Sequence, residues 1–438
     1  MRKKIIVRGP ALSSSGYGEQ TRFALRCLRK HQDKFDIYLL NLNWGRTGWI
    51  VSDDEERKWI DEILGKTQAY IQQNQPNINF DVSLQITIPN EFEIIAPVNI
   101  GYTAGIETTK AVPVWLEKCN IMNRIIVPSQ HSKVVLENSL YRTKNEKEQD
   151  VELKTKIPID VCGYAAREIK PKPLELELET SFNFLTVSQW GPRKNLESVI
   201  SAFISEFNNE KEVGLIVKTN MTKNNYFDKL VVENRLRSFV QQMANSKDMK
   251  CKIYLLHGNL EENEMRGLYT HPTVKALVTA THGEGFGLPL FETVLCEKPV
   301  IAPGWSGHLD FLFAPKKDKE TGKTKLRPHF VKVDYDIGQV QKDAIFPGLI
   351  EESSQWCYPK NYSLRAGFKE VFRNYGACLS NAKKLKEYIF EEFEENKQYD
   401  KFVNSVLSVL PAFSEPENFS QAENNLKNNN LLDDIVGL

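Results

Sequence analysis

The sequence predicts an α/β protein of two doubly wound halves facing a cleft. Three observations predict it. Short β-branched runs alternate with helix-periodic segments through the first half; the alternation restarts at Phe182 behind a charged, proline-bearing stretch; and Ala276–Lys298 reads strand, glycine-rich turn, helix. Two such halves place ligands in the crevice outside the carboxyl ends of their strands and in the cleft between them.

In the first half Lys4–Val7, Phe35–Leu40, Phe80–Ile86, Val98–Tyr102 and Ile125–Val127 read as strands, with helical spacing at Gly18–Lys30, Asp54–Gln73 and Ser132–Asn138. Tyr141 to Lys156, dense in charge of both signs, reads as an exposed insertion. Glu168 to Thr180, with Pro171 and Pro173, reads as the interdomain linker. The second half predicts strands at Phe182–Val187, Leu215–Lys218, Lys252–Leu256, Ala276–Thr279 and Val300–Ala302, with helices at Leu196–Phe207, Tyr226–Asn245 and Glu261–Tyr269. Ser414 to Leu438 is asparagine-rich and poor in aromatics, which predicts a flexible tail or a peripheral helix. The expected domains are 1–170, 171–410 and a polar tail at 411–438.

Composition agrees. A chain of 438 residues, 41% hydrophobic, suits a globular protein of two or three domains. The formal net charge of zero supplies no global attraction to nucleic acid or anionic membrane, though it leaves room for a local patch. Seven cysteines, an odd number without a CxxC pair, predict reduced core thiols. The basic start, Met1 to Val7, carries too short an apolar run for a signal peptide, and no 18-residue apolar stretch follows, so a cytoplasmic protein without a membrane span is expected.

The chemistry concentrates in Glu284-Gly-Phe-Gly-Leu-Pro-Leu-Phe-Glu292. Gly283, Gly285 and Gly287 permit close backbone approach to a ligand, and unpaired N–H groups at the following helix start can face a diphosphate. Carboxylates beside a diphosphate repel it. Glu284 and Glu292 are therefore expected to face neutral hydroxyls, one on a sugar and one on a ribose.

Glu261 to Gly307 resembles the retaining glycosyltransferases of the GT-B fold, family 4 type, in its Glu-x7-Glu motif, in Glu264-Met-Arg-Gly-Leu-Tyr269 and in Lys298-Pro-Val-Ile-Ala302. The resemblance implies two Rossmann-like domains and transfer of a sugar from a nucleotide-diphosphate sugar, first of all a UDP-sugar, to a hydroxyl acceptor. It implies front-face substitution, with neither a metal nor another cofactor. Ser13-Ser-Ser-Gly-Tyr-Gly18 looks like the family's glycine-rich loop, with Gly16 and Gly18 near the donor phosphates; an ordinary capped βα turn is the plainer alternative. Val187 to Asn195 resembles the diphosphate-binding segment, with Lys194 as the phosphate cation. Gln189 stands where relatives carry arginine, which leaves Arg193 or Lys218 to supply the second positive charge. His282 is expected to donate to phosphate or sugar, and Phe286 and Leu288 belong to the donor motif. A histidine that relatives carry in the first domain is missing from Asn99–Lys110, so Glu107 or Thr103 is the substitute toward the sugar or acceptor. The expected catalytic set is Glu284, Lys194 and Glu107.

Trp44 and Trp49 read equally as a ligand platform or as core anchors. Asp334-Tyr-Asp336 spells a metal-binding Asp-x-Asp, but it sits in a strand-like run away from the donor motif and reads as accidental. The acceptor stays open between a glycan and modified DNA. Ala314 to Arg327 carries six basic and two acidic residues, a solvated hairpin or a polyanion clamp. The patterns Val7-Arg-Gly-Pro, Ser-Gly-Tyr-Gly and Asn-Trp-Gly are similar to glycosyltransferases of tailed bacteriophages, some of which glycosylate 5-hydroxymethylcytosine. A nucleotide-sugar binder without transfer, or an epimerase, is the reading from another class.

Overall fold

A computed structural model describes residues 2–144, 149–243, 249–317 and 322–410. The tail expected at 411–438 lies outside the described residues, as do 145–148 of the insertion and 318–321 of the basic hairpin.

The N-terminal sheet contains β1 (Lys3–Gly9), β2 (Phe35–Asn41), β3 (Val82–Gln85), β4 (Val98–Tyr102) and β5 (Arg124–Val127). Between them run α1 (Gly16–Lys30), α2 (Glu55–Asn74) and α3 (Pro113–Asn120), and α4 (Gln130–Asn138) follows β5. A hairpin of β6 (Tyr141–Lys144) and β7 (Asp150–Leu153) forms the charged insertion, before β8 (Ile159–Val161) completes the sheet in the order β2-β1-β3-β4-β5-β8. All its pairings are parallel. Helices on both faces explain why β1 carries the consecutive buried residues Ile5, Ile6 and Val7 instead of an alternating pattern.

The second domain repeats the scheme with β9 (Phe182–Gln189), α5 (Leu196–Phe207), β10 (Val213–Asn220), α6 (Tyr226–Met243), β11 (Lys252–Leu256), α7 (Glu262–Thr270), β12 (Val274–Val278), α8 (Leu288–Leu295), β13 (Val300–Pro303) and the short α9 (Leu309–Leu312). Then come the antiparallel β14 (Phe313–Lys317) and β15 (Thr324–Pro328), β16 (Val331–Val333), and the pair β17 (Tyr335–Gln339) and β18 (Gln355–Pro359). The parallel sheet order is β11-β10-β9-β12-β13-β16. Its core is aromatic: Phe184 lies edge-on to Phe368 at 4.8 Å and stacks on Phe207.

The chain closes with α10 (Asn361–Arg373), α11 (Tyr375–Glu392) and α12 (Glu395–Leu407). The last of these packs on the first domain. Phe402 sits 5.7 Å from Phe23 of α1 and 5.2 Å from Tyr102 of β4, His31 Nε2 lies 2.9 Å from Asp400, and Ser405 donates to Asp160.

In the second sheet β9 lies between β10 and β12, so connections leave its two sides in opposite directions. The crevice at this switch point receives the loops after β9 and β12, which carry Arg193, Lys194 and Glu284.

Candidate functional site

After β9 the chain makes a single turn at Pro192–Lys194 and enters Asn195 at φ 50°. Asn195 Nδ2 donates 3.1 Å to the Ala280 carbonyl, and the His282 amide donates 2.8 Å to the Arg193 carbonyl. These bonds fasten the β9 turn to the loop after β12. Lys194 Nζ consequently lies 2.7 and 2.8 Å from the two Glu284 carboxylate oxygens. Arg193 donates 2.6 Å to the Gly283 carbonyl, approaches Glu284 at 3.5 Å, and reaches Glu107 of the first domain at 3.2 Å. Glu284 is itself fixed: its amide donates 2.9 Å to Ser306 Oγ, and its carbonyl accepts 2.9 Å from the Gly307 amide.

The three residues expected to carry the chemistry, Glu284, Lys194 and Glu107, thus meet through Arg193. Burial alone would raise the Glu284 carboxyl, but Lys194 and then Arg193 outweigh it and hold it down to about 2. Burial and the charge of Arg193 lower Lys194 despite the pull of Glu284. Arg193 is raised, because Glu107 and Glu284 overcome its own burial. The result is two cations and two carboxylates, compact and largely dry, one carboxylate being contributed across the cleft.

The other expected residues distribute differently. Glu292, on α8, accepts 3.0 Å from Tyr269 Oη, while Arg266 donates 3.0 Å to its backbone carbonyl. Burial outweighs Arg266 and raises its carboxyl. Glu292 and Leu288 line a space of about 20 Å³ together with Glu19 of α1, Arg167 and Arg266, so Glu292 also faces the first domain. Lys218 stands apart from the charge cluster; its Nζ donates 2.6 Å to the Gly258 carbonyl and burial lowers it to about 8. Of the two candidates for the second cation, Arg193 is the one beside Lys194.

Two expectations meet a different geometry. His282 Nδ1 lies 2.5 Å from the Cys357 carbonyl, and Trp356 stacks on the ring at 4.7 Å. A bond to a carbonyl requires the proton on Nδ1, so Nε2 of the neutral ring can only accept. Burial lowers His282 and keeps it neutral, against the expected donor role. The Phe286 ring points into the core, 5.0 Å from both Tyr164 and Phe311 and 5% exposed, which leaves its backbone alone for a ligand.

The glycines have a partner that the sequence did not show. A Cβ at Gly285 would lie 2.5 Å from the Ala104 carbonyl, and one at Gly283 would collide with that of Glu107. The close approach they permit is to the N-terminal domain. Gly287, at φ 99°, instead serves the left-handed start of α8. On the opposite wall the α1 start is capped by Ser15, which accepts 3.1 Å from Gly18. A Cβ at Gly18 would strike the Ser13 carbonyl, whereas at Gly16 it would meet open space. Between them Tyr17 bonds Thr103 at 2.9 Å and packs on Trp44 at 4.3 Å, and Trp49 is 43% exposed, so neither tryptophan is a buried core anchor.

Sequence reasoning missed Ser306 and His131. Ser306 has φ 82°, unusual for a non-glycine residue, and its setting in Gly-Trp-Ser-Gly was a turn signal. His131, at the α4 start, lies edge-on to Trp305 at 4.9 Å, and Gln130 donates 2.7 Å to Asp310. Nothing in the sequence pairs those segments. Of the Asp-x-Asp, Asp336 pairs with Lys360 at 2.9 Å on the β17–β18 hairpin. Among the described residues no helix is long and apolar enough to cross a membrane.

Neither a protein-family model nor a curated protein matches the chain. Solved structures do. Sucrose-phosphate synthase from Thermosynechococcus elongatus aligns with TM-score 0.59 at 11% identity, over 93% of this chain and 99% of that one. A glycosyltransferase from Rickettsia africae gives 0.55 at 12% identity over 93% and 99%. The pneumococcal O-GlcNAc transferase GtfA, in complex with UDP and GlcNAc, gives 0.52 at 11% over 93% and 99%. With these alignments spanning both parallel-sheet domains, the chain has the GT-B fold.

Proposed function

We propose that the protein is a retaining glycosyltransferase of the family 4 type, which moves a sugar from a nucleotide-diphosphate sugar to a hydroxyl acceptor. The Lys194–Glu284 pair at the carboxyl ends of β9 and β12, flanked by Arg193 and, from the first domain, by Glu107, carries the proposal. Two partly buried cations here are balanced by carboxylates. An entering diphosphate supplies the negative charge in place of Glu284 and frees that carboxylate to accept hydrogen bonds from the sugar hydroxyls. Each cation keeps an anionic partner at each stage, which matters because an unpaired charge away from water is costly.

As the bond from sugar C1 to the phosphate oxygen breaks, negative charge grows on the leaving diphosphate. Lys194 and Arg193, already fastened by Asn195 and by the Gly283 carbonyl, stabilise that charge without reorganising. The acceptor oxygen bonds C1 on the face the phosphate leaves, and its proton passes to the departing phosphate oxygen. Glu107 orients Arg193 from the acceptor side, so charge stabilisation depends on both domains being in place. Glu292 takes the ribose. The space beside it, about 20 Å³, holds no more than a water, so α1 and α8 separate when the donor enters. The half-buried pair Tyr17 and Trp44, with the exposed Trp49 near them in sequence, suits the ring of an acceptor sugar.

A donor screen tests the proposal: the protein is incubated with UDP-, GDP- and ADP-sugars, and free nucleoside diphosphate is measured with and without glycan and hydroxymethylated DNA acceptors. UDP-sugars come first, given UDP in the pneumococcal neighbour. Release that rises with an acceptor, with retained anomeric configuration in the product, is the expected result. Isomerised donor identifies an epimerase, and binding without turnover an inert module; either outcome overturns the proposal.

A further inference from the structure

A groove of about 450 Å³ separates the β14–β15 hairpin from α11. It is formed outside the Lys194–Glu284 site and shares no lining residue with it. Its volume falls in the range of roughly 300–1,000 Å³ usual for small-molecule sites. Lys316 and Lys317 line it from the hairpin; Asn381, Lys384, Tyr388 and Glu391 line it from one stripe of α11, with Glu387 beside them. Positions 381, 384, 388 and 391 are spaced three, four and three apart, the interval that puts side chains on a single helix face.

The charges there are unusual. Lys316 stands directly opposite Lys325 in the antiparallel register, a like-charge placement that destabilises a hairpin in isolation. Among the described residues Lys316, Lys317, Lys325 and Lys384 make no ion pair, although Glu387 and Glu391 border the same groove and are equally unpaired. A plain polyanion clamp has no use for two carboxylates. A neutral sugar site has no use for three ammonium groups. The combination suits a ligand that carries both features: hydroxyls that donate to Glu387, Glu391 and the Asn381 amide oxygen, a ring face for Tyr388, and an acidic group for the lysines.

We infer that the groove between the β14–β15 hairpin and α11 is a second binding site, for a saccharide of one or two units that bears a phosphate or carboxylate. It lies a few residues beyond the Gly304–His308 loop whose Ser306 holds Glu284, and α9, which lies between them in the chain, touches the first domain through Asp310. An occupied groove pins the hairpin to α11 and steadies the chain that leads to that loop.

The test uses binding alone, so it stands apart from the transferase reading. Full-length protein is titrated calorimetrically with glucose 6-phosphate, glucuronate, glucose and inorganic phosphate, and its mobility is read against duplex DNA at two salt concentrations. The expected result is that at least one of the two acidic sugars binds at least tenfold more tightly than glucose and phosphate; which of them does identifies phosphate or carboxylate as the acidic group. Lys316→Ala with Lys384→Ala should weaken that binding tenfold or more, and Glu387→Gln with Glu391→Gln should weaken it as well. Thermal melting of both variants checks that they fold; all four residues border solvent and are expected to leave it unchanged. Tighter acid-sugar binding by the glutamine variant would overturn the inference, since the carboxylates would then only repel an anion. So would equal affinity for inorganic phosphate, absence of binding by either acidic sugar, or salt-sensitive DNA binding lost in the lysine variant without any acid-sugar binding.

Discussion

Arg193 of the C-terminal domain reaches across the cleft to Glu107 of the N-terminal domain, nitrogen to oxygen 3.2 Å, while its other terminal nitrogen holds the Gly283 carbonyl at 2.6 Å. One guanidinium therefore reports the position of both domains to the carboxylate beside it. Under the proposed function, charge stabilisation at the site and closure of the cleft are a single event.

Lys194→Ala and Glu284→Gln should each lower kcat far more than they raise KM. Removal of one preorganised partner of a developing charge costs about 10²–10³-fold in turnover. Steady-state release of nucleoside diphosphate measures it, and an effect confined to KM would exclude the roles given to these residues.

Glu292→Ala should raise the donor dissociation constant about tenfold or more, from lost charge-assisted bonds worth roughly 1.5–3 kcal/mol. Because the change also strips Tyr269 of its acceptor, Tyr269→Phe is the control. Titration with a nucleoside diphosphate should find weakened binding in the first variant and near-normal binding in the second.

Gly285→Ala should wedge the cleft open, since its Cβ would lie 2.5 Å from the Ala104 carbonyl, a backbone atom that cannot swing aside. Small-angle scattering should show a larger radius of gyration than wild type, and turnover should fall at saturating donor. An unchanged radius with full activity would mean that the two loops do not meet in solution.

Acid should loosen the same interface. Burial first, then the charge of His308, holds His131 down to about 4 against 6.5 for a free imidazole. Because the folded value is the lower one, the stability tied to neutral His131 is intact above pH 6.5 and is lost as pH falls toward 4, by about 2 kcal/mol at pH 5. Glu284, held down to about 2, stays ionised throughout that window. Melting curves at pH 7.5 and 5 should differ more for wild type than for His131→Gln.

The sequence carried most of the sheet framework because strands buried on both faces appear as continuous apolar runs, as Ile5–Val7 and Leu215–Val217 do. Glu284 and Lys194, which the structure brings into contact, stood out as candidates because each lies in a compact local motif. The geometry around them was not. That Arg193 selects Glu107, that Trp356 covers His282, and that Gly285 clears Ala104 all depend on chain segments far apart in sequence, which only the packed domains bring together. The orientation of Phe286 was hidden for a related reason: within a ligand motif, core and contact residues alternate, and a single letter does not say which way its ring turns.

The return of α12 to the first domain bears on how the chain matures during synthesis. Phe23 and Tyr102 are covered by Phe402, a residue made nearly last among those described. The first domain leaves the ribosome with this apolar face bare and keeps it so while the whole second domain is translated. Domains generally fold in order as they emerge, but here the earlier one waits for the later one to supply its cover. Expressed without residues 395–407, the protein should therefore expose an adhesive patch on the first domain, and its failure would show as aggregation of the part that was left intact.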